Sequence, residues 1–579
     1  MLGRGQVNAG ARWLARLSGS KQRLAPRVMT SHARPMTSRP TPELRRDGDD
    51  LVSCLGQLTP MDLNNYEALD QAAARWGHHT ALECGVTGQT YSYGALRDAW
   101  RRCGGALQGR GVGRGDVVCL LMLNSPAFAV IFPGVFAAGG VPSPINPTFT
   151  PGEVARQVEN SCSKILVVDA RLAALGETAL ALLPHPRPAL LLVGGTEGGR
   201  EDLLAQAEDK GTPFAKDVEV QDEDACTLFY SSGTTGPPKG AATRQVSIRH
   251  NLPAVLHENV NASMPATKDW QETVMGLMPF FHAWGIYSVL NCSLVQGWKV
   301  VTLPTFLPDL FLDIIKKHKI GILHVVPPLL QFLVAHPNVT PVDLASLRVV
   351  MCAAAPCPAI AAQALKEKVP NPIFFQEAYG LTETMPTHFT PLGHERLGSC
   401  GHILPGVRAR VVDLASASPV GPNTPGELWI KSPGMMAGYL NNPEATKEII
   451  TEDGWLKTGD VVTYDEDGYF FVVDRIKELI KVKGIQVSPT ELEVELLKMP
   501  GVAEAGVVGV KDERAGEVPR AFIVRRDPSL TEDKVAEYLG SRVAPHKQLA
   551  GGVRFVEELP KSQTGKLLRR VLQKRAEEE

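Results

Sequence analysis

The chain contains 579 residues, of which 44% are hydrophobic and 21% are charged, so it can bury a large core and form more than one domain. Its 60 lysines and arginines nearly balance 62 aspartates and glutamates, which gives no reason to expect a nucleic acid or an acidic membrane as a partner. The ten cysteines form no CxxC pair and match neither a zinc spacing nor a small disulfide framework, so we expect reduced thiols in an intracellular protein.

The first 42 residues differ from the rest, because they contain eight lysines or arginines and no acidic residue. Written as a helix, this segment separates apolar residues such as Leu14 from basic residues such as Arg23. The pattern is typical of a mitochondrial transit peptide and predicts a protein of the mitochondrial matrix. Two alternatives stay open: a disordered basic tail, or a cytoplasmic protein whose translation starts at Met29 or Met36.

Residues 117–152 contain no charged side chain, which raises the possibility of a membrane span. Asn124, Pro126, Pro133 and the pair Gly139-Gly140 interrupt the stretch too early, so we expect a buried strand and helix and no transmembrane segment. From about residue 90 to 360, apolar runs such as SKILVVD alternate with helix-compatible runs such as GEVARQVENS. This alternation predicts α/β layers with largely parallel strands.

From Gly426 onward the sequence pattern changes to short strands and turns, and the pattern of the last hundred residues predicts a small α+β unit. A boundary is expected close to Asp474, where FFVVD gives way to the charged RIKELIKVKG. The predicted fold class is therefore α/β, with a large N-terminal domain of layered subdomains over residues 43–473 and a small C-terminal domain over residues 474–579.

One loop carries a chemical signal: strand-like residues 225–230 run directly into SSGTTGPPKG. Its glycines let the backbone approach a ligand closely, and its hydroxyls and lysine donate hydrogen bonds, for which phosphate is a natural acceptor. The spacing does not fit a Walker loop, and a segment of this kind taken alone is more often a plain turn. The candidate phosphate-binding residues are Ser231, Ser232, Gly233, Thr234, Thr235, Gly236 and Lys239.

Further stretches follow this loop in a fixed order. They are PFFHAWG (279–285), EAYGLTE (377–383), GELWIKSPGMMAGYLNNPEAT with WLKTGD (426–460), DRIKELIKVKGIQVSPTELE (474–493) and LPKSQTGKLLRR (559–570). Together they resemble the adenylate-forming superfamily of acyl-CoA synthetases, firefly-luciferase-like enzymes and peptide-synthetase adenylation domains. The resemblance runs from about Ser92 to Arg570 and is strongest to the branch with 4-coumarate-CoA ligases and luciferases.

The resemblance implies a two-step reaction with ATP, Mg2+ and CoA, and a small carboxylic acid as the partner. The carboxylate attacks the α-phosphate of ATP to give an acyl-adenylate and pyrophosphate, and the thiol of CoA then displaces AMP. It assigns Mg2+ to Glu383, the α-phosphate to Thr382, and the positive charge of the first step to Lys566. We expect Lys566 to lie on an exposed tail, where its loss would barely affect stability.

The resemblance also implies the residues of the nucleotide site. Tyr379 would stack on adenine, and the segment Glu377-Ala378 before it would line the same part of the site. Asp460 can accept hydrogen bonds from both ribose hydroxyls, and Arg475 is implied as a second ribose contact.

In this family the small domain swings about a hinge between the two steps, and the resemblance places that hinge at Lys477. Lys483 and Gly484 match a turn that contacts CoA. Lys481 and Gln486 match residues that face the adenylate after the swing.

The acyl pocket is implied around His282, a histidine beside the acyl group, and Trp284, a large wall. Ala353 and Ala378 stand where the family often has glycine, and each adds a methyl group to the cavity. We expect a compact or medium-length fatty or aryl acid. Two alternatives remain: an adenylating enzyme with a non-CoA acceptor, such as oxygen or a carrier-protein thiol, and a catalytically silent nucleotide-binding protein. The exact acid and the oligomeric state stay open.

Overall fold

The computed structural model describes residues 43–231, 238–512, 514–562 and 565–578. The predicted transit segment and most of the predicted phosphate loop, residues 232–237, lie outside the described residues. No helix in the described part of the chain is long and apolar enough to cross a membrane.

The uncharged stretch around residue 130 belongs to a four-stranded parallel sheet. Its strands lie in the order Val141–Ile145, Val117–Leu121, Ile165–Asp169 and Ala189–Val193, with helices Pro126–Ala137, Pro151–Asn160, Ala173–Ala181 and Leu203–Glu208. The helix Pro126–Ala137 begins at a proline, follows the N-cap Ser125 and is apolar on nearly every face, because it is buried on all sides. The prediction of buried strand and helix is confirmed.

A nine-stranded sheet forms the centre of the large domain, and its six central strands are parallel. The order is His402–Ile403, Met385–Phe389, Phe374–Leu381, Val349–Cys352, Ile322–Val325, Thr273–Gly276, Lys299–Thr302, Thr80–Cys84 and Thr90–Ser92. Its helices are Asn65–Arg75, Tyr93–Gln108, Gln245–Val255, Trp284–Asn291, Cys292–Gln296, Pro308–His318, Pro327–Ala335 and Ala359–Lys368. Buried aromatic side chains such as Trp100, Phe280 and Phe375 fill the core between these layers.

Two antiparallel units complete the large domain. The hairpin Ala225–Ser231 and Lys239–Arg244 pairs Ser231 with Lys239, so the predicted phosphate loop connects its two strands. A six-stranded antiparallel sheet contains Arg45–Asp47, Asp50–Val52, Arg408–Val412, Gly426–Lys431, Leu456–Tyr464 and Phe470–Arg475, with the helix Pro443–Ile449 beside it.

The small domain has its own sheet and its own core around Val507, Ile523 and Leu539. Its strands are Ile485–Val487, Ile480–Val482, Gly516–Arg525, Val502–Asp512 and Val553–Phe555, and its helices are Pro489–Leu497, Glu532–Gly540 and Arg569–Glu578. Only the short 3-10 turn Ile476–Glu478 separates its first strand from the last strand of the six-stranded sheet. The predicted fold class, a layered α/β domain followed by a small α+β domain, is confirmed.

Candidate active site

Asp460 lies at the centre of a group of polar side chains where the six-stranded sheet meets the nine-stranded sheet. The hydroxyl of Tyr379 donates to Asp460 Oδ2 at 2.6 Å, and Arg475 Nε donates to Asp460 Oδ1 at 2.9 Å. Asp460 and Arg475 are direct partners across the strand pairing, so the sheet register fixes this contact. Asp460 is only 3% exposed, and its charge raises the pKa of Arg475 above the usual range. The register therefore builds a carboxylate with two fixed partners at the predicted ribose site.

Glu383 forms a second polar centre in the turn between the strands Phe374–Leu381 and Met385–Phe389. Its Oε1 accepts hydrogen bonds from Ser231 Oγ at 3.0 Å and from the Tyr439 hydroxyl at 2.8 Å. Lys239 Nζ lies 5.1 Å from the centre of the Tyr439 ring, and Thr382 precedes Glu383 in the same turn. The two ends of the phosphate loop and Glu383 are thus held together by Tyr439.

The prediction from sequence overlooked Tyr439. Its signal was present, because the residue stands in the GYLNN part of a stretch used for the resemblance. Burial and the neighbouring Glu383 raise the pKa of Tyr439, so its hydroxyl stays protonated and donates to the carboxylate.

The donor set around Glu383 fits Mg2+ that is held mainly by phosphate oxygens. Within the described residues, no group of three or more His, Cys, Asp or Glu side chains could hold a metal by itself. Mg2+ is usually bound by one or two carboxylates together with substrate phosphates, and one carboxylate fixed by two hydroxyl donors matches that pattern. The residues present therefore fit a metal that arrives with a triphosphate.

Lys566 comes from the small domain and reaches this cluster. Burial lowers the pKa of Lys566, and Arg475 lowers it further, whereas Asp460 and Glu383 act in the opposite direction. These opposing effects mean that one ammonium group lies within electrostatic range of both polar centres. The expectation of an exposed tail is wrong, because the side chain is largely shielded from solvent.

The segment around Lys566 is a compact turn that docks on the large domain. The backbone N–H of Ser562 donates to the Lys566 carbonyl at 2.8 Å, and the backbone N–H of Lys566 donates to Ser562 Oγ at 3.1 Å. A Cβ atom on Gly565, whose φ is +74°, would lie 3.0 Å from Pro328 Cγ. The close approach places this turn directly on the start of the helix Pro327–Ala335, and only a residue without a side chain fits there without displacing its neighbours.

Arg569 ties the small domain together behind that turn, and sequence reasoning did not single it out. It donates to Glu478 Oε2 at 3.0 Å and to both carboxylate oxygens of Glu493 at 2.5 and 2.9 Å. Glu478 lies in the turn between the domains, and Glu493 lies in the helix Pro489–Leu497. This guanidinium therefore couples the C-terminal helix to the connection between the domains.

His282 of the predicted acyl pocket lies within electrostatic range of Lys566, and Trp284 contacts His282. Burial and, to a smaller extent, the charge of Lys566 lower the pKa of His282 to about 4, so the imidazole is neutral at pH 7. The backbone N–H of Trp284 donates to His282 Nδ1 at 3.2 Å. Ala353 follows the strand Val349–Cys352, and Ala378 lies in the neighbouring strand, so both stand near the carboxyl edge of the parallel strands, where ligands bind in open α/β sheets.

Glu377 lies next to this region but is buried. Its Oε1 accepts a hydrogen bond from the backbone N–H of Gly398 at 2.6 Å, and burial raises its pKa to about 8. The residue is 5% exposed, and its Oε1 is hydrogen-bonded to a backbone N–H group of the protein itself.

The four residues predicted to act in the second step are not brought to the cluster. Lys481 and Gln486 face each other across the hairpin Ile480–Val487, and Lys483 and Gly484 form its tip with φ values of 51° and 80°. Positive φ at both residues is the geometry of a two-residue hairpin turn. All four residues are exposed, as is Lys477 in the turn between the domains. This surface of the small domain is therefore open to solvent.

Comparisons with known proteins agree with this arrangement. Residues 69–440 match the family described as AMP-binding enzyme, and residues 491–566 match the AMP-binding enzyme C-terminal domain. The chain is 36% identical to 4-coumarate–CoA ligase 3 of Oryza sativa subsp. japonica over 541 residues, which is 91% of this chain and 95% of that protein.

Among solved structures, it is similar to ATP-bound MatB from Rhodopseudomonas palustris, with a TM-score of 0.78, 27% identity, and coverage of 89% of this chain and 99% of that one. It is also similar to the anthranilate CoA ligase AuaEII in complex with anthranoyl-AMP, with a TM-score of 0.79, 26% identity, and coverage of 90% and 98%.

Proposed function

The chain belongs to the AMP-binding enzyme family and is an ATP-dependent acid–CoA ligase, and we propose that its residues divide the reaction between two arrangements of the small domain. The observation that carries the proposal is the convergence of Lys566 from the small domain with Asp460, Arg475 and Glu383 from the large domain. One arrangement forms the acyl-adenylate, and the other transfers the acyl group to CoA.

In the first arrangement, the nucleotide lies along the two polar centres. Tyr379 stacks on adenine, while Asp460 and Arg475 hold the ribose, as the fixed Asp460–Arg475 contact at 2.9 Å favours. The hairpin that carries Ser231 and Lys239 holds the triphosphate with backbone and side-chain donors.

Glu383 would hold Mg2+ that arrives with the triphosphate. When bound, it supplies charge neutralisation between the anionic carboxylate substrate and the phosphates. Ser231 and Tyr439 orient the Glu383 carboxylate by donating to one of its oxygens. Thr382 in the same turn would donate to the α-phosphate.

Lys566 supplies the mobile positive charge of the first step. Its ammonium group lies within electrostatic range of Asp460 and Glu383. The same charge lowers the pKa of His282. An ammonium group there stabilises the negative charge that develops as the acid carboxylate attacks the α-phosphate and pyrophosphate leaves. His282 is neutral and borders the acyl group without adding a second positive charge.

The second arrangement forms after rotation about Lys477 in the turn Ile476–Glu478. The rotation withdraws Lys566 and brings the exposed hairpin to the adenylate, with Lys481 and Gln486 towards the adenylate and Lys483 and Gly484 towards CoA. The thiol of CoA then attacks the acyl carbonyl carbon, and AMP leaves.

The acid of this proposal is compact or of medium length. Trp284, Ala353 and Ala378 occupy space in the implied pocket, and each reduces its depth. A preference for palmitate over octanoate and over cinnamate-like acids would overturn this part of the proposal.

The function is tested with purified residues 43–579, Mg-ATP and a panel of carboxylic acids, each with and without CoA. We expect pyrophosphate release with acyl-CoA and AMP as products. Acyl-adenylate without thioester would point to a different acceptor. A shift in thermal stability on adding nucleotide, with no pyrophosphate release from any acid, would support a silent nucleotide-binding protein.

The mitochondrial matrix is the proposed location, on the basis of the basic amphipathic pattern of residues 1–42. A fluorescent protein fused to residues 1–45 should accumulate in mitochondria. A diffuse cytosolic signal would overturn this proposal.

A further inference from the structure

The large domain contains a cavity that the reaction described above does not use. Its volume is about 280 Å³, near the lower end of the range of roughly 300–1,000 Å³ for small-molecule sites. Asp224, which precedes the strand Ala225–Ser231, and Gln245, which follows the partner strand, both line this cavity. The strand has seven residues and rises about 3.3 Å per residue, so the phosphate loop at its other end lies about 20 Å away. The cavity is therefore separate from the nucleotide site.

Gln245 brings a buried amide oxygen without a partner to the lining of this cavity. The residue is 7% exposed, and its Oε1 has no hydrogen-bond partner among the described residues. Its backbone N–H donates to the carbonyl of Asp224 at 3.0 Å, which fixes the residue at the start of the helix Gln245–Val255. A buried amide oxygen without a partner calls for an explanation, and a ligand that carries a donor group supplies one.

The lining contains more acidic than basic residues. The acidic residues are Glu67, Asp70, Asp217 and Asp224, and the basic residues are Arg101 and Arg114. Two of the carboxylates are neutralised by guanidinium groups that donate to both of their oxygens. Arg97 binds Asp70 at 2.8 and 2.7 Å, and Arg114 binds Asp224 at 2.7 and 2.9 Å. These two pairs leave the charges of Glu67, Asp217 and Arg101 to decide which ligand the cavity favours.

The remaining charges favour a cation. Glu67 and Asp217 are exposed and contribute two negative charges. Arg101 contributes one positive charge, and its guanidinium lies over the Phe214 ring, 4.5 Å from the ring centre. The lining therefore keeps a net negative charge, and the Gln245 oxygen adds a neutral acceptor.

The rest of the lining indicates an organic cation and not a metal ion. Phe136 and Ala137 are buried, and together with Val218 and Val220 they give the cavity an apolar wall. In the part of the chain that the structure describes, no three His, Cys, Asp or Glu side chains are close enough to hold a metal ion. A carbon chain, by contrast, can pack on the apolar wall while a charged end group meets the carboxylates.

We propose that this cavity is a second ligand site of the protein and that it binds a small organic ammonium ion. The ammonium group donates to Gln245 Oε1, the carboxylates of Glu67 and Asp217 balance its charge, and its carbon chain packs on the apolar wall. The inference goes beyond the proposed ligase function and does not depend on it, because it concerns binding at a place that the reaction does not use.

The test measures binding to the full-length protein by isothermal titration calorimetry. The probes are two amines, 2-phenylethylamine and 1,4-diaminobutane, and their matched uncharged alcohols, 2-phenylethanol and 1,4-butanediol. We expect at least one amine to bind and its alcohol to bind much more weakly, because an alcohol carries no charge for the carboxylates. Saturating Mg-ATP should not displace the amine, since the two sites lie about 20 Å apart.

Two substitutions locate the bound amine. Gln245→Leu keeps a side chain of similar size and removes the acceptor, so the affinity should fall at least about tenfold, as for the loss of a hydrogen bond to a charged group. Asp217→Asn removes an exposed charge and should weaken binding by up to about fivefold. Asp269→Asn is the matched control for Asp217→Asn, because Asp269 is exposed on a loop near the opposite end of the helix Asn65–Arg75, and its loss should leave the affinity unchanged.

Four outcomes would overturn the inference. No binding of either amine at millimolar concentration would mean that water alone fills the cavity. Equal binding of an amine and its alcohol would contradict a site for a cation, and displacement by Mg-ATP would contradict a separate site. Unchanged affinity in Gln245→Leu would place the amine elsewhere. If thermal unfolding shows that Gln245→Leu is misfolded, the comparison of Asp217→Asn with Asp269→Asn decides, and equal affinities there count against the inference.

Discussion

Replacing Lys566 with methionine separates its chemical role from any structural one. Methionine keeps an unbranched side chain of similar length and removes the ammonium group. We expect the adenylation rate to fall about 100-fold to 1,000-fold, which corresponds to the roughly 2.7–4 kcal/mol that one preorganised electrostatic group contributes to a transition state. The Asp460 and Glu383 carboxylates and the phosphates of the bound nucleotide would lose this cation from the same position.

The stability of the same variant should stay constant or rise slightly. Burial and Arg475 lower the pKa of Lys566, so the folded protein disfavours the charged form relative to the unfolded chain. Because the unfolded chain then binds more protons, this group makes the folded state more stable as pH rises. Below the pKa of Lys566 in the folded protein, the buried charge lowers the free energy of unfolding, and the uncharged methionine removes this loss. The same lowered pKa predicts that adenylation by the wild-type protein declines with rising pH before an ordinary lysine would lose its proton.

Three measurements on the Lys566→Met variant complete the test. Pyrophosphate release reports the first step, thioester formation from supplied acyl-adenylate and CoA reports the second, and thermal unfolding reports stability. The second step should change by only a few fold, because the proposed rotation withdraws Lys566 from the adenylate. Lys574→Met is the matched control, since this lysine is 77% exposed in the C-terminal helix and pairs with Glu578 at 3.6 Å. Near-wild-type pyrophosphate release, or equal losses in both steps together with a lower Tm, would refute the reasoning.

Three further substitutions probe the hinge and the buried carboxylates. Lys477→Pro in the turn between the domains should slow thioester formation more than adenylation, because proline fixes φ where the backbone must rotate; equal losses in both half-reactions would contradict a hinge there. Asp460→Asn should lower the free energy of unfolding by about 1.5–3 kcal/mol, the range for a hydrogen bond to a charged group, because Arg475 loses its charged partner; an unchanged urea midpoint would count against this contact. The pKa of Glu377 is about 8 in the folded protein against 4.5 when unperturbed, so between these values the folded protein binds a proton that the unfolded chain releases. Wild-type stability should therefore fall as pH rises from about 4.5 to about 8. Glu377→Gln keeps an acceptor for Gly398 and should remove that part of the decline between pH 6 and pH 8, whereas identical slopes in urea unfolding would show that the carboxyl is not the cause.

The local features of the chain could be predicted because they depend on short-range patterns. In the run from Val117 to Gly152, Pro126 begins the helix and Gly139-Gly140 precede the second strand, so the structure has a strand, a helix and a strand there. The prediction that Pro133 also interrupts the run is wrong, because this proline lies inside the helix. The small domain also follows its periodicity, with strands at Val502–Asp512 and Gly516–Arg525 and helices on either side.

The sequence by itself determined the family, the fold class and the identity of the polar motifs, because each motif is a continuous run whose residue types and order are visible in the chain. Only the tertiary structure decided which of these residues meet. Tyr439 contacts Glu383, and Lys566 approaches the same cluster. These residues are far apart in sequence, so their contacts depend on strand register and on the packing of the small domain against the large domain. His324 shows the limit most clearly, because its apolar strand context predicts only burial. That its buried Nδ1 has no hydrogen-bond partner among the described residues becomes visible only in the tertiary structure.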